Sequence, residues 1–194
     1  MPDSPSGQGG PSGQDPSLSP GLRSFLAIDV PKEVSKGLAA LLPKIKLTAG
    51  GQLHLTLRFL GNVPMEKLEL LMAEAALIKS PPFPLTVNGL GFFRQASSRA
   101  VLWAGLAPSP RLFSLKTAVD AALAKSLGLS PDKRFKPHVT LARVKESEID
   151  LRSLVEQFRA DSLPKFPAGE LKLYKSELRP QGAVHTVLGA WPLV

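Results

Sequence analysis

His54-Leu55-Thr56-Leu57 and His138-Val139-Thr140-Leu141 are two copies of one pattern, a histidine and a threonine separated by one aliphatic residue and followed by another. They hold two of the three histidines in 194 residues. In a β-strand the side chains at i and i+2 leave the same face, so each copy sets an imidazole beside a hydroxyl and turns its aliphatic residues toward a core. Two such strands brought together would present paired imidazoles backed by paired hydroxyls. Near neutral pH one imidazole can accept a proton while the other, as imidazolium, donates one, which suits a reaction with a base on one side of the reacting atom and an acid on the other. Displacement at a phosphodiester phosphorus is such a reaction.

Outward from these segments the order of elements repeats. Arg23 to Val30 is an apolar run closed by Pro31, which is well placed to open a helix; residues 31–46 carry Val34, Leu38, Leu41, Leu42 and Ile45 at helical spacing. Gly50-Gly51 breaks the chain, Leu53 to Leu60 reads as the first His/Thr strand, Gly61-Asn62 ends it, and Pro64 to Lys79 is amphipathic before a strand at Leu85 to Phe93. The second half gives a strand at Ala100 to Leu106, a helix at Ser109 to Leu127, the second His/Thr strand at Pro137 to Val144 and a helix at Asp150 to Arg159. Strands at Phe166 to Leu178 and Ala183 to Leu188 follow, with Pro180-Gln181-Gly182 as a hairpin turn. A strand–helix–strand–helix–strand unit used twice can set the two motif strands about a pseudo-twofold axis, so that sites 84 residues apart (138 − 54) face one another across a cleft.

Composition narrows the chemistry. The first twenty residues, rich in Pro, Gly and Ser, read as a flexible tail without the basic and hydrophobic regions of a signal peptide. All 24 Lys and Arg lie in residues 21–194 against 14 of the 16 acidic residues, so that part carries +10 and favours an anionic partner. The absence of cysteine removes thiol nucleophiles and Cys-ligated metals and is compatible with a reducing cytoplasm. Apolar stretches fall short of the roughly twenty residues of a membrane span. The histidines lack a helical HExxH partner carboxylate, and no GxSxG, GxxxxGK[ST] or GxGxxG pattern occurs, so zinc, serine-hydrolase, P-loop and Rossmann chemistry are all disfavoured. No metal and no cofactor is expected.

Other candidates are judged by strand parity. Arg58 alternates in phase with His54 and Thr56, which would put its guanidinium on the reactive side. Arg143 is out of phase with His138 and points away unless the strand bulges. Arg134 and Lys136 could line a basic rim; Phe59, Phe92, Phe93 and Trp103 read as core residues with base stacking as the alternative. His185 adjoins Thr186, lacks the one-residue spacing, and reads as surface or packing.

These residues resemble the 2H phosphoesterases, and within them the RNA 2′,3′-cyclic phosphodiesterases, also called 2′-5′ RNA ligases. The resemblance runs from about residue 22 to the C-terminus: RSFLAI (23–28) is similar to the family's opening strand, HLTLRFLG (54–61) and FKPHVTLAR (135–143) to its two motifs, and LYKSELRPQGAVHTVL (173–188) to its closing hairpin. It implies an α+β, bilobal, pseudo-twofold fold over residues 21–194 as one domain, with two antiparallel sheets forming a central cleft and helices outside. It implies metal-independent hydrolysis of a terminal 2′,3′-cyclic phosphate to a 2′-phosphate, on RNA ends or 2′,3′-cyclic nucleotides. A monomer without membrane association is expected. His54 resembles the family's proton donor to the leaving 3′ oxygen and His138 the acceptor that activates water. Thr56 and Thr140 would contact the non-bridging oxygens, and Arg143 matches a family arginine near the phosphate, against its parity. At His185 the family often has another residue. Ligation to a 2′-5′ linkage is the same chemistry reversed. A non-catalytic protein that holds RNA ends stays open, as do sister activities on ADP-ribose 1″,2″-cyclic phosphate or 2′-5′ oligoadenylate.

Overall fold

The computed structural model describes residues 21–47, 52–158, 164–180 and 182–194; the tail, Gly50-Gly51, Arg159 and the turn residue Gln181 lie outside them. In chain order the elements are β1 (Leu22–Asp29), α1 (Lys32–Leu41), β2 (His54–Val63), α2 (Met65–Ala75), β3 (Phe83–Gln95), β4 (Arg99–Leu106), α3 (Pro110–Leu127), β5 (His138–Lys145), α4 (Leu151–Gln157), β6 (Lys165–Ala168), β7 (Glu170–Arg179) and β8 (Gly182–Pro192). Local chemistry explains the helix ends. Pro31 and Pro64 take the N-cap positions of α1 and α2. Ser109 Oγ accepts from the Leu112 N–H at the start of α3, and the Asp150 carboxylate accepts from the Arg152 and Ser153 N–H groups at the start of α4. Helix α1 stops short of residue 46 because Pro43 follows.

The strands form one antiparallel eight-stranded sheet in the order β6-β3-β4-β5-β2-β1-β7-β8. The two sheets expected are its two halves, joined at the centre where β2 meets β5 through the Leu55–Val139 pair. Each half places its motif strand innermost. The α+β, pseudo-twofold arrangement is thus present, with one difference in detail: the third strand of each sequence repeat belongs to the opposite half. Strand β3 lies beside β4, and β7 beside β1. The reason is loop closure, since three residues separate Gln95 from Arg99 and a hairpin that short forces its strands to pair. Strand β7 then fills the vacant edge of β1.

Two sequence boundaries also differ. The single strand read over 166–178 is two, β6 and β7, divided at Gly169. Strand β2 runs through Gly61-Asn62 to Val63, because Gly61 adopts a left-handed φ of 74° that lets the strand bulge and continue.

Buried side chains separate the two faces of the sheet. The main core gathers Leu26 and Ile28 of β1, Leu55 and Leu57 of β2, and Val139, Leu141 and Ala142 of β5 with Leu38, Leu68, Leu71, Leu112, Leu115, Val119 and Leu151 from the four helices. A separate small cluster of Phe25, Ala27 and Tyr174 lies on the opposite face, which is helix-free among the described residues. Strand β1 is therefore buried on both faces, which is why it reads as an unbroken apolar run. No helix among the described residues is long and apolar enough to cross a membrane.

Candidate active site

The central strand pair assembles the site. Extending the Leu55–Val139 register by one residue each way sets His54 opposite Thr140 and Thr56 opposite His138, all four on the helix-free face. Opposed Cβ atoms in an antiparallel pair stand about 5 Å apart, so the two motifs make a compact square with histidines on one diagonal and threonines on the other. Leu55 and Val139, fully buried, anchor it from behind.

Both rings are tethered in the same way. His54 Nδ1 lies 3.1 Å from the Gln52 carbonyl and His138 Nδ1 lies 2.8 Å from the Lys136 carbonyl. A carbonyl only accepts, so each Nδ1 carries a proton and donates it, leaving each Nε2 as the titrating nitrogen. This fixes the tautomer that can take a proton or, once protonated, deliver one.

A second matched device decides the fate of the arginines. In β2 the register with β1 skips Leu57, and in β5 the register with β4 skips Leu141. Each is a β-bulge three residues after its histidine. One extra residue reverses the alternation beyond it. Arg143, opposite Val101, consequently comes round to the face of His138 and Thr140 and reaches Gln95 Oε1 at 3.4 Å. Arg58 goes the other way. Paired with buried Leu26, it donates to the Ser130 carbonyl at 2.9 Å and faces Asp120 of α3 at 3.9 Å, while Lys116 also bonds Asp120. The expectation that Arg58 lines the reactive side is overturned, because regular alternation does not survive the bulge at Leu57.

Around the square the two halves differ residue by residue. Beside His54 stand Phe25, stacked at 4.9 Å between ring centroids, Tyr174 at 6.2 Å, and His185 edge-on at 5.4 Å. Phe59, 66% exposed, adjoins Phe25 at 5.9 Å. Beside His138 stand Phe93 at 5.5 Å and Trp103 at 6.0 Å. Gly91 lies directly under the indole, and a Cβ there would come within 2.2 Å of Trp103. Phe92 faces away and packs on the main core.

His185, Tyr174 and Phe25 escaped the sequence reading as neighbours of the site. His185 does pack, as expected, but it packs on His54. Nothing in its own local sequence signals this, because the pairing of β8 with β7 and of β7 with β1 brings it there.

Burial lowers the His54 pKa below its ordinary value, with the Gln52 hydrogen bond and the charge of Asp29 pulling partly back. His185 is lowered too, by burial and then by His54 itself. Asp29, paired in register with His54, accepts from the Tyr174 hydroxyl at 2.6 Å and from the Lys172 ammonium at 2.8 Å. Burial and the Asp29 contact push the Tyr174 phenol upward, so it stays protonated and donates. Among the described residues no group of three or more His, Asp or Glu is arranged to hold a metal ion.

Comparison with known proteins gives the family of the chain. An RNA 2′,3′-cyclic phosphodiesterase of Methanocaldococcus jannaschii is 31% identical over 178 residues, spanning 88% of this chain and 100% of that protein. One of Thermotoga maritima is 31% identical over 86% of this chain and 93% of its own length. Among solved structures, Escherichia coli LigT complexed with NADP+ superposes with a TM-score of 0.70 at 28% identity, covering 90% of this chain and 99% of LigT. LigT complexed with 3′-AMP gives 0.67 at 30% identity, covering 91% and 99%. The shared curled sheet and the match of residues 35–180 to the family pattern place the chain in the 2′-5′ RNA ligase superfamily.

Proposed function

We propose that the protein hydrolyses 2′,3′-cyclic phosphate ends of RNA, and 2′,3′-cyclic nucleotides, to 2′-phosphates by acid/base catalysis between His54 and His138 without a metal. The observation that carries this is the square of two histidines and two threonines with both Nδ1 atoms committed to backbone carbonyls. His138 Nε2 takes a proton from water as its oxygen attacks phosphorus. The P–O3′ bond breaks in line, and His54 Nε2–H protonates the leaving 3′ oxygen. The new P–O bond and the retained P–O2′ bond leave a 2′-phosphate and a free 3′-hydroxyl. Thr56 and Thr140 donate hydrogen bonds to the non-bridging oxygens as negative charge gathers there, and Arg143 adds a fixed positive charge on the same face.

Run in reverse, with a 5′-hydroxyl in place of water, the same groups make a 2′-5′ linkage; water at high concentration makes hydrolysis the dominant direction. The relatives named as RNA 2′,3′-cyclic phosphodiesterases support the substrate class. The test is incubation with 2′,3′-cyclic AMP and with a cyclic-phosphate-ended RNA in EDTA, read by phosphorus NMR. Formation of 2′-phosphate in EDTA is the expected result. A 3′-phosphate product would exchange the leaving oxygen, and absence of turnover on both substrates would reject the reading.

A further inference from the structure

The pseudo-twofold axis repeats the histidines and threonines but not what lies beside them. Position for position across the axis, Phe25 corresponds to Val101, Ala27 to Trp103 and Asp29 to Gly105, as their pairings with β2 and β5 show. His54 thus has a carboxylate as its register partner, and His138 has a glycine.

We propose that Asp29 is a positioning residue that assigns the donor role to His54: its carboxylate, fixed by Tyr174 and Lys172 on the strand beside that histidine, favours the protonated ring against the burial that opposes it, and the register partner of His138 is a glycine. This rests on the two-histidine reading and adds to it the reason why two near-identical motifs do opposite jobs. A symmetric pair of imidazoles would share the proton and spend half its encounters in the wrong state. One carboxylate placed on one side works against the burial of His54 and so favours the imidazolium there.

The placement of the charged groups favours this role. The groups about His54 and Asp29 are Tyr174 and Lys172 from β7, with Glu170 on the far side of Lys172; His185 from β8; Thr56 on the strand of His54; and Thr140 and His138 from β5. Lys172 bridges Asp29 at 2.8 Å and Glu170 at 3.0 Å, so two carboxylates meet one ammonium and the cluster keeps one negative charge. Tyr174 is neutral and spends its proton on Asp29. With two fixed partners, the carboxylate cannot swing away or collapse onto the imidazole.

The chain has three histidines, so their ring protons can be followed individually by NMR. In full-length protein, Asp29→Asn keeps the shape and removes the charge. The His54 titration midpoint is expected to fall while the His138 midpoint stays in place, and kcat on 2′,3′-cyclic AMP is expected to fall about tenfold with little change in KM. Tyr174→Phe, which keeps the carboxylate, should move the His54 midpoint much less. An unmoved His54 midpoint in Asp29→Asn overturns the proposal, as does an equal shift at both histidines. The titration reads the Asp29–His54 coupling whether or not the protein turns over cyclic phosphates, so failure of the proposed activity and failure of this role give different results. Should Asp29→Asn fail to fold, Asp29→Glu serves instead: retention of the His54 midpoint together with reduced kcat supports a placed charge, and a midpoint that falls to that of an uncharged site rejects it.

Discussion

At the residue scale the proposed mechanism makes unequal demands on similar side chains. His54→Ala and His138→Ala each remove a proton carrier from a strand pair that is anchored by Leu55 and Val139, so turnover should drop roughly 10²- to 10⁴-fold with KM little changed and the melting temperature nearly preserved. Normal rates from both variants would end the proposal. The arginines separate just as sharply. Arg143→Ala should lower kcat/KM through loss of the phosphate-side cation and leave stability alone, since the side chain makes one long contact to Gln95. Arg58→Ala should do the reverse, leaving kcat/KM intact and costing about 1–3 kcal/mol by denaturant melts, because it takes the donor from the Ser130 carbonyl and a facing positive charge from Asp120. The pH dependence follows from the burial of His54. Its pKa lies below the ordinary 6.5, so the proton it must donate is lost from the free protein before neutrality, and kcat/KM should show a limb below pH 6.5. A bound phosphate anion favours the imidazolium, so the matching limb of kcat should lie higher. Both limbs of kcat/KM above pH 6.5 would contradict the burial of His54.

At the scale of single elements the bulges matter most. The identity of Arg143 as a cleft residue and of Arg58 as a structural one depends on Leu57 and Leu141 each being passed over by the neighbouring strand. Sequence alternation is a period-2 argument and fails wherever one strand contributes an extra residue, so parity could identify His54, Thr56, His138 and Thr140, which precede the bulges, but not the arginines, which follow them. Both bulges fall three residues after a histidine, so the duplication itself is a clue that the two strands deviate alike. Gly91 belongs to this scale as well. Gly91→Ala drives a methyl group into the Trp103 indole that backs His138. A loss of about 1–3 kcal/mol is expected, together with a shifted tryptophan emission and a slower reaction, all absent from a control such as Gly37→Ala, where the added methyl meets nothing within 4 Å.

At the scale of the whole molecule, no helix among the described residues covers the face of the sheet that carries the site, and residues 21–194 carry +10. The KM for a cyclic-phosphate-ended oligonucleotide should therefore rise about tenfold more than that for 2′,3′-cyclic AMP between 50 and 200 mM salt, because only the longer substrate displaces counterions along its backbone. Equal salt dependence for the two would confine recognition to the terminal phosphate.

The sequence by itself determined the two motifs, the order of elements up to α4, the helix starts at Pro31, Pro64, Ser109 and Asp150, and the basic balance, because each depends on residues adjacent in the chain: a two-residue strand period, a capping side chain, a sum of charges. The tertiary structure alone decided that β3 and β7 exchange halves, that Arg143 faces the cleft while Arg58 does not, and that His185, Tyr174 and Asp29 gather at His54. Those facts depend on which strand lies beside which and in what register. Hairpin closure, bulges and long-range pairing set them, and none of these is written in the local pattern of any one segment.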